Sequence, residues 1–231
     1  MILEVIATCV EDAVIAEANG ADRLELITAM TEGGLTPGIG MVQQVTRAVK
    51  IPVNVMVRPH SRSFIYGKAD LQTMVAEVQA IRETKAAGIV IGMLKANHTI
   101  DETALEKVLS AASGLDVTFH RAFDELKDQV AGIRTLQQYP QISRVLTSGG
   151  PKPAPDAIPE IQELVQEAAR EESLRILAGH GLTLDTVEAF VAQTGVTEVH
   201  FGSAVRIGGN GLAPMDPVRL RTLADRIHKN G

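Results

Sequence analysis

Eight short apolar segments alternate with eight longer segments of helical period along this chain, and no other feature of the sequence restricts the fold as strongly. The apolar segments are rich in Val, Ile and Leu. Several lack a clean apolar–polar alternation, which is typical of strands buried on both faces. Alternating strands and helices predict a parallel sheet of the α/β class. The predicted strands are Leu3–Ala7, Asp22–Ile27, Pro52–Arg58, Gly88–Leu94, Asp116–His120, Arg144–Thr147, Arg175–Ala178 and Glu198–Phe201.

The segments between the strands place apolar residues three and four positions apart, as helices packed on a sheet do. The predicted helices are Glu11–Asn19, Met41–Val49, Leu71–Thr84, Glu102–Ser113, Gln129–Tyr139, Ile158–Arg170, Leu184–Gln193 and Pro217–Lys229. The length of 231 residues is close to the roughly 250 typical of a (β/α)8 TIM barrel. The rival fold is an open doubly wound sheet, but no Gly-x-Gly-x-x-Gly motif follows the first strand. We therefore predict a single-domain TIM barrel over residues 1–231.

Composition excludes several classes of partner. The net charge of −6 opposes non-specific attraction to nucleic acids and anionic membranes, so we expect neither as a partner. The sole cysteine, Cys9, cannot form an intramolecular disulfide. Glu4 stands where a secretion signal needs a basic start, and the longest apolar run, Gly88–Leu94, is far shorter than a bilayer span of roughly 20 residues. A cytoplasmic location is the simplest expectation.

Seven charged or titratable residues lie in or beside the predicted strands, where burying an unpaired charge is costly. They are Glu4, Glu25, Arg58, His120, Arg121, Asp124 and His200. Most are near the carboxyl ends of strands, where barrel enzymes have their sites. We interpret them as a functional site, and a structural ion-pair network is the alternative.

Four of these residues are candidate acid–base groups. Glu4 and Glu25 occupy equivalent places in the first two strands, and two close carboxylates raise one pKa, which suits proton transfer. A salt bridge to Arg58 is the alternative for either glutamate. In the segment Val117–Asp124, His120 can serve as acid or base and Asp124 can orient a neighbour.

The remaining candidates form a predicted anion site. Arg58 and Arg121 can pair with a negatively charged group, and glycines in the later loops let backbone N–H groups approach an anion. The loops after strands seven and eight are where barrels often hold phosphate. The predicted substrate-binding residues are Arg58, Arg121, Thr147, Ser148, Gly149, Gly179, His200, Gly202 and Ser203.

Seven ordered motifs make the chain resemble one known family. They are Glu4-Val5, Gly20–Leu26, Glu32–Pro37, Val57–Pro59, Val117–Asp124, Arg144–Gly149 and Glu198–His200. Together they resemble the CutC, or copper homeostasis protein, family over nearly the whole chain. The resemblance implies a TIM-like barrel, a cytoplasmic location, a homodimer or larger homo-oligomer, and copper(I) binding.

The residues depart from the resemblance at two positions that matter for copper. Family members suited to copper binding carry a cysteine two residues after each of the two strand glutamates, and this chain has Ile6 and Ile27 there. Copper(I) prefers thiolate and thioether ligands, and the chain offers Cys9 and methionines such as Met30 and Met56. The residues themselves predict no metal site, so copper is implied by the resemblance alone.

Two functional hypotheses follow. The first is a copper-handling protein that binds copper ions without turnover. The second is a barrel enzyme acting on a small anionic or phosphorylated metabolite at the carboxyl-terminal rim of the barrel. The residue types favour the second, because acid, base and cation occur together where soft metal ligands are few.

Overall fold

A computed structural model describes residues 1–171 and 174–229 and shows a closed eight-stranded parallel barrel surrounded by helices. The strands run in chain order around the barrel, and β1 pairs with both β2 and β8. Their bounds are β1 Ile2–Ala7, β2 Arg23–Leu26, β3 Val53–Met56, β4 Gly88–Ile91, β5 Asp116–Phe119, β6 Ile142–Thr147, β7 Arg175–Ala178 and β8 Glu198–Phe201. The predicted α/β fold class and TIM barrel are confirmed.

One long helix follows each strand and covers the outside of the barrel. The helices are α1 Val10–Ala18, α2 Ile39–Ala48, α3 Lys68–Arg82, α4 Glu102–Ala111, α5 Gln129–Leu136, α6 Ile158–Ala168, α7 Val187–Thr194 and α8 Pro217–Lys229. Side chains cap several of their amino termini. The Asp101 carboxylate accepts the Ala104 N–H at the start of α4, and Cys9 Sγ accepts the Asp12 N–H at the start of α1.

The apolar core has two parts. The larger lies between strands and helices and holds the outward-facing residues of every strand. A small separate cluster of Ile27, Met56 and Val90, with Ile6 and Met30 against it, has no part in that layer. Barrel interiors are filled by side chains from alternate positions of each strand, so this second cluster occupies the interior.

Below that cluster, near the amino ends of the strands, the interior is charged. Arg23 donates to Glu4 and to Glu198, each at 2.5 Å, and Arg144 pairs with Glu198 at 3.2 Å and with Asp116. We call Glu4, Arg23, Asp116, Arg144 and Glu198 the charged layer. Every member has an oppositely charged partner. This part of the barrel is therefore a structural ion-pair network, the alternative that the sequence analysis gave for the buried charges.

Candidate functional site

A cavity of about 590 Å³ opens at the carboxyl ends of the strands, a size typical of small-molecule sites. We call it the mouth cavity. The long loops after β2, β3 and β8 contribute to its wall through Met30, Phe64 and Gly202. The cavity therefore lies at the end of the barrel where the sequence predicted a site.

The structure divides the predicted site residues into two groups. Those that line the mouth cavity are Glu25, Arg58, His120, Arg121, His200, Gly202 and Ser203. Those outside its wall are Glu4, Asp124, Thr147, Ser148, Gly149 and Gly179. Glu25, His120 and Arg121 thus share one cavity, and their acid–base and substrate-binding roles stay predictions.

Glu4 and Glu25 differ in environment because the strands are staggered. The Cα partner of Glu4 on β2 is Arg23, and that of Glu25 on β1 is Ile6, so Glu25 lies nearer the mouth. The alternative interpretation, a salt bridge from either glutamate to Arg58, is wrong. Glu4 binds Arg23 and His200 instead.

His200 connects the charged layer to the mouth cavity. Its Nδ1 lies 2.8 Å from Glu4 Oε1, and its Nε2 lies 3.8 Å from Glu25 Oε2. Since Glu4 accepts only, Nδ1 carries the proton and Nε2 presents a lone pair toward Glu25 in the neutral imidazole. A carboxylate behind a histidine in this way is the usual support of a metal-binding imidazole.

The pKa values of Glu4, Glu25 and His200 are shifted in different ways. Burial alone would raise the pKa of Glu4, but Arg23 and His200 lower it to about 2, so Glu4 is ionised. Burial raises the pKa of Glu25 to about 7, with the Glu4 charge acting in the same direction and the charges of His200 and Arg23 opposing it. Burial opposes protonation of His200, yet the charges of Glu25 and Glu4 raise its pKa.

His120 is held rigidly as a neutral imidazole. Its Nδ1 accepts the Ala122 N–H at 3.1 Å, which places the ring proton on Nε2. Burial and, to a smaller extent, the charges of Arg58 and Arg121 together lower the pKa of His120 to about 3. Gly92 makes room for the ring, because a Cβ there would lie 2.5 Å from Nδ1 and Cε1.

Arg58 sits beside an aromatic ring. Its Cζ is 4.7 Å from the centroid of Phe64, and its Nη1 donates to the carbonyls of Glu32 and Gly34 at 3.0 and 3.2 Å. Cation–π contact and carbonyl acceptors together stabilise the buried guanidinium.

Asp124 orients Arg121, as the sequence predicted for one of its neighbours. The carboxylate accepts from Arg121 Nε at 2.8 Å, from Thr147 Oγ1 at 2.5 Å and from the Ser148 N–H at 3.1 Å. Thr147 and Ser148 thus support the arginine from behind the cavity wall. They hold a wall residue rather than line the cavity themselves.

Sequence reasoning did not assign several wall residues, among them Phe64, His180 and Arg219. His180 carries a detectable signal, because it stands between two glycines and has a φ of 71°. A non-glycine residue in that region is strained, and such strain is concentrated at functional sites. Phe64 has no comparable local signal.

A candidate metal centre also went unpredicted. One ligand atom from each of Glu4, Glu25 and His200 lies within 4.8 Å of the others, and all three residues are buried. The thioethers of Met30 and Met56 line the same cavity, as do Ile6 and Ile27. Cys9 is outside its wall, where it caps α1.

Within residues 1–171 and 174–229, no helix combines the length and apolar character that crossing a membrane requires.

The family model and the similar proteins all point to one family. The model of the CutC family matches residues 1–205. A family protein CutC of Rhizobium meliloti is 37% identical over 227 residues, covering 95% of this chain and 91% of the relative. The human copper homeostasis protein cutC homolog is 36% identical over 199 residues, covering 86% of this chain and 72% of the relative.

Solved structures agree on the fold. The CutC protein of Streptococcus agalactiae superposes with a TM-score of 0.82 at 29% identity, covering 87% of this chain and 97% of that one. A phosphoribosylanthranilate isomerase from Pyrococcus furiosus superposes with a TM-score of 0.62 at 15% identity, covering 99% of both chains. At that identity the second likeness concerns the barrel alone.

Proposed function

The chain belongs to the CutC family, and we propose that it acts in copper homeostasis in the cytoplasm by binding a copper ion as cargo at the mouth of its barrel. The observation that carries this proposal is the pair His200 Nε2 and Glu25 Oε2, which lie 3.8 Å apart in the cavity wall. A nitrogen and an oxygen that each bind one metal ion at roughly 2.0–2.2 Å can be separated by about that distance.

Glu4 supports this role from the charged layer. Because its pKa is about 2, it remains ionised and keeps the proton of His200 on Nδ1. A metal ion competes with a proton for Nε2, and a carboxylate behind the ring raises the basicity of that nitrogen. Glu4 is thus a positioning residue for His200.

The donor set fits copper through imidazole, carboxylate and thioether groups, and it does not fit a thiolate site. The two positions where cysteines would suit copper(I) are Ile6 and Ile27, and both side chains face the mouth cavity. Copper(I) prefers soft ligands, so Met30 and Met56 are the groups of this cavity that suit it. We therefore expect weaker copper(I) binding than a cysteine-bearing site would give.

A competition titration tests the proposal. Tag-free protein with reduced Cys9 is titrated with copper(I) in the presence of a chelator of known affinity, beside the variants Glu25→Gln and His200→Gln. The exposed His98→Gln is the matched control. We expect the wild type and the control to withdraw one equivalent of copper, and each ligand variant to lose at least about tenfold in affinity. Equal affinity in all four proteins would overturn the assignment of the site.

Introducing cysteines at positions 6 and 27 provides a gain-of-function test. The double variant Ile6→Cys/Ile27→Cys places two thiols in the cavity wall beside His200. We expect its copper(I) affinity to rise at least about a hundredfold, because thiolates are the ligands that copper(I) prefers. An exposed pair, Val14→Cys/Val218→Cys, gives the same number of thiols away from the mouth. A gain as large in that pair would contradict a site in the mouth cavity.

A further inference from the structure

Arg58 differs from the other buried arginines of the described chain in having no carboxylate partner. Arg23 and Arg144 are paired within the charged layer, and Arg206 pairs with Asp12 at 2.7 Å. In residues 1–171 and 174–229, no carboxylate oxygen lies within 4.0 Å of the Arg58 guanidinium, and its buried Nε makes no hydrogen bond. A buried cation without a counter-ion is costly, so an anion supplied from outside would stabilise it.

A second unpaired donor lies in the same cavity wall. The proton on His120 Nε2 has no acceptor, although the nitrogen is buried. His120 is 3% exposed and Arg58 is 7% exposed, so both side chains belong to the wall and not to the solvent. Buried donors in native proteins nearly always have a partner, and two orphans in one wall point to a shared acceptor.

Phe64 contacts both donors. Its ring centroid is 5.0 Å from that of His120 and 4.7 Å from Arg58 Cζ. Neither donor nitrogen touches solvent, and the Phe64 ring packs against both groups. We therefore expect an entering ligand to displace this ring. Phe64 belongs to the long connection between β3 and α3, where a change of side-chain rotamer does not disturb the barrel.

We propose that the mouth cavity binds a small organic acid whose carboxylate accepts hydrogen bonds from Arg58 Nε and His120 Nε2. Two donors and one unpaired cation match a carboxylate, which has two oxygens and one charge. A phosphate dianion brings three oxygens and two charges. Of the two further arginines in the wall, Arg121 is already paired with Asp124, and Arg219 donates its Nε–H to the Ala204 carbonyl. The apolar side chains of Ile27, Met56 and Leu146 would contact the remainder of the acid.

The first experiment uses the metal-free wild-type protein. Benzoate and its uncharged analogue benzamide are titrated at constant ionic strength while calorimetry and the ¹⁵N resonance of His120 Nε2 are recorded. We expect benzoate to bind saturably and to move that resonance, and benzamide to bind at least about tenfold more weakly, because a hydrogen bond to a charged acceptor is the stronger one. Equal binding of the two compounds, or tighter binding of inorganic phosphate than of benzoate, would overturn the proposal.

Variants assign the donors. Arg58→Lys keeps the charge but lacks the Nε–H, His120→Gln alters the second donor, and the exposed Arg62→Lys is the control from the same loop. We expect about ten- to one-hundredfold weaker benzoate binding in the first two and no change in the third. Phe64→Ala removes the ring that covers both donors and is expected to bind benzoate more tightly than wild type. Unchanged affinity in Arg58→Lys and His120→Gln would contradict the site, whatever the outcome of the copper titration.

Discussion

The two ends of the barrel interior differ in whether their buried charged and polar groups have partners. In the charged layer, Arg23 and Arg144 sit between three carboxylates, and every charge has a partner within 3.2 Å. In the mouth cavity, Glu25 Oε1, Arg58 Nε and His120 Nε2 are buried and have no hydrogen-bond partner. Both regions contain charged residues that lie on or just after strands, so residue type alone does not distinguish them.

We infer from this difference that the charged layer stabilises the fold and that the mouth cavity binds a ligand. A paired charge in the interior stabilises the fold only as long as its partner remains, and removal of one partner is strongly destabilising. An unpaired polar atom costs stability in the absence of a ligand and is retained where a ligand uses it. We therefore expect substitutions in the charged layer to unfold the protein, and substitutions in the mouth cavity to change binding.

The largest expected effect is that of Arg23→Met. This change leaves Glu4 and Glu198 buried without their shared cation, and we expect a loss of about 3–5 kcal/mol in the free energy of unfolding. Urea denaturation followed by circular dichroism measures it. Arg134→Met removes another arginine–glutamate pair, in which the arginine is largely exposed, and is expected to have a much smaller effect. Similar urea midpoints for the two variants would show that the charged layer contributes no more to stability than a largely exposed ion pair.

The next effect is a pH dependence caused by His120. An unfolded histidine takes up a proton near pH 6.5, whereas burial lowers the pKa of folded His120 to about 3. Between these values the unfolded state binds more protons, so stability falls as the pH decreases. We expect a loss of about 2 kcal/mol between pH 7 and pH 5 from this group.

Unfolding curves of the wild type and His120→Gln at both pH values check this prediction. The variant lacks the titrating group and should lose correspondingly less stability, whereas the exposed control His98→Gln should follow the wild type. If His120→Gln lost as much stability as the wild type, His120 would not be a neutral buried group.

The smallest effect is that of Gly92→Ala. Its added Cβ would lie 2.5 Å from the His120 ring, so the ring must move and weaken its bond from the Ala122 N–H. We expect a loss of about 1–2 kcal/mol in stability together with weaker benzoate binding. Gly40→Ala in α2 meets no atom within 4 Å and is expected to be neutral or slightly stabilising. A neutral Gly92→Ala would show that the position of the His120 ring is not tightly constrained.

The barrel was predictable because each of its strands and helices is recognisable from a short stretch of sequence. Each of the eight strands and eight helices carries its own periodicity, and the observed elements differ from the predicted ones mainly at their ends, as in β3, predicted as Pro52–Arg58 and observed as Val53–Met56. The location of the mouth cavity was also predictable, since the carboxyl ends of parallel strands meet at one rim.

The different environments of Glu4 and Glu25 were not predictable, because they depend on the stagger between β1 and β2. The equivalent places of Glu4 and Glu25 in the sequence suggested equivalent roles, yet the register sets Glu4 level with Arg23 and leaves Glu25 nearer the mouth. The contact of Phe64 with Arg58 and His120 depends on the path of a loop, which no periodicity reveals.

The most direct test of the account is the position of bound copper. Crystals grown with one equivalent of copper under reducing conditions are measured at the copper absorption edge, where anomalous scattering locates the metal. We expect a single main peak roughly 2 Å from His200 Nε2 and from a carboxylate oxygen of Glu25. A main peak at Cys9 or on the protein surface, with none between His200 and Glu25, would contradict it.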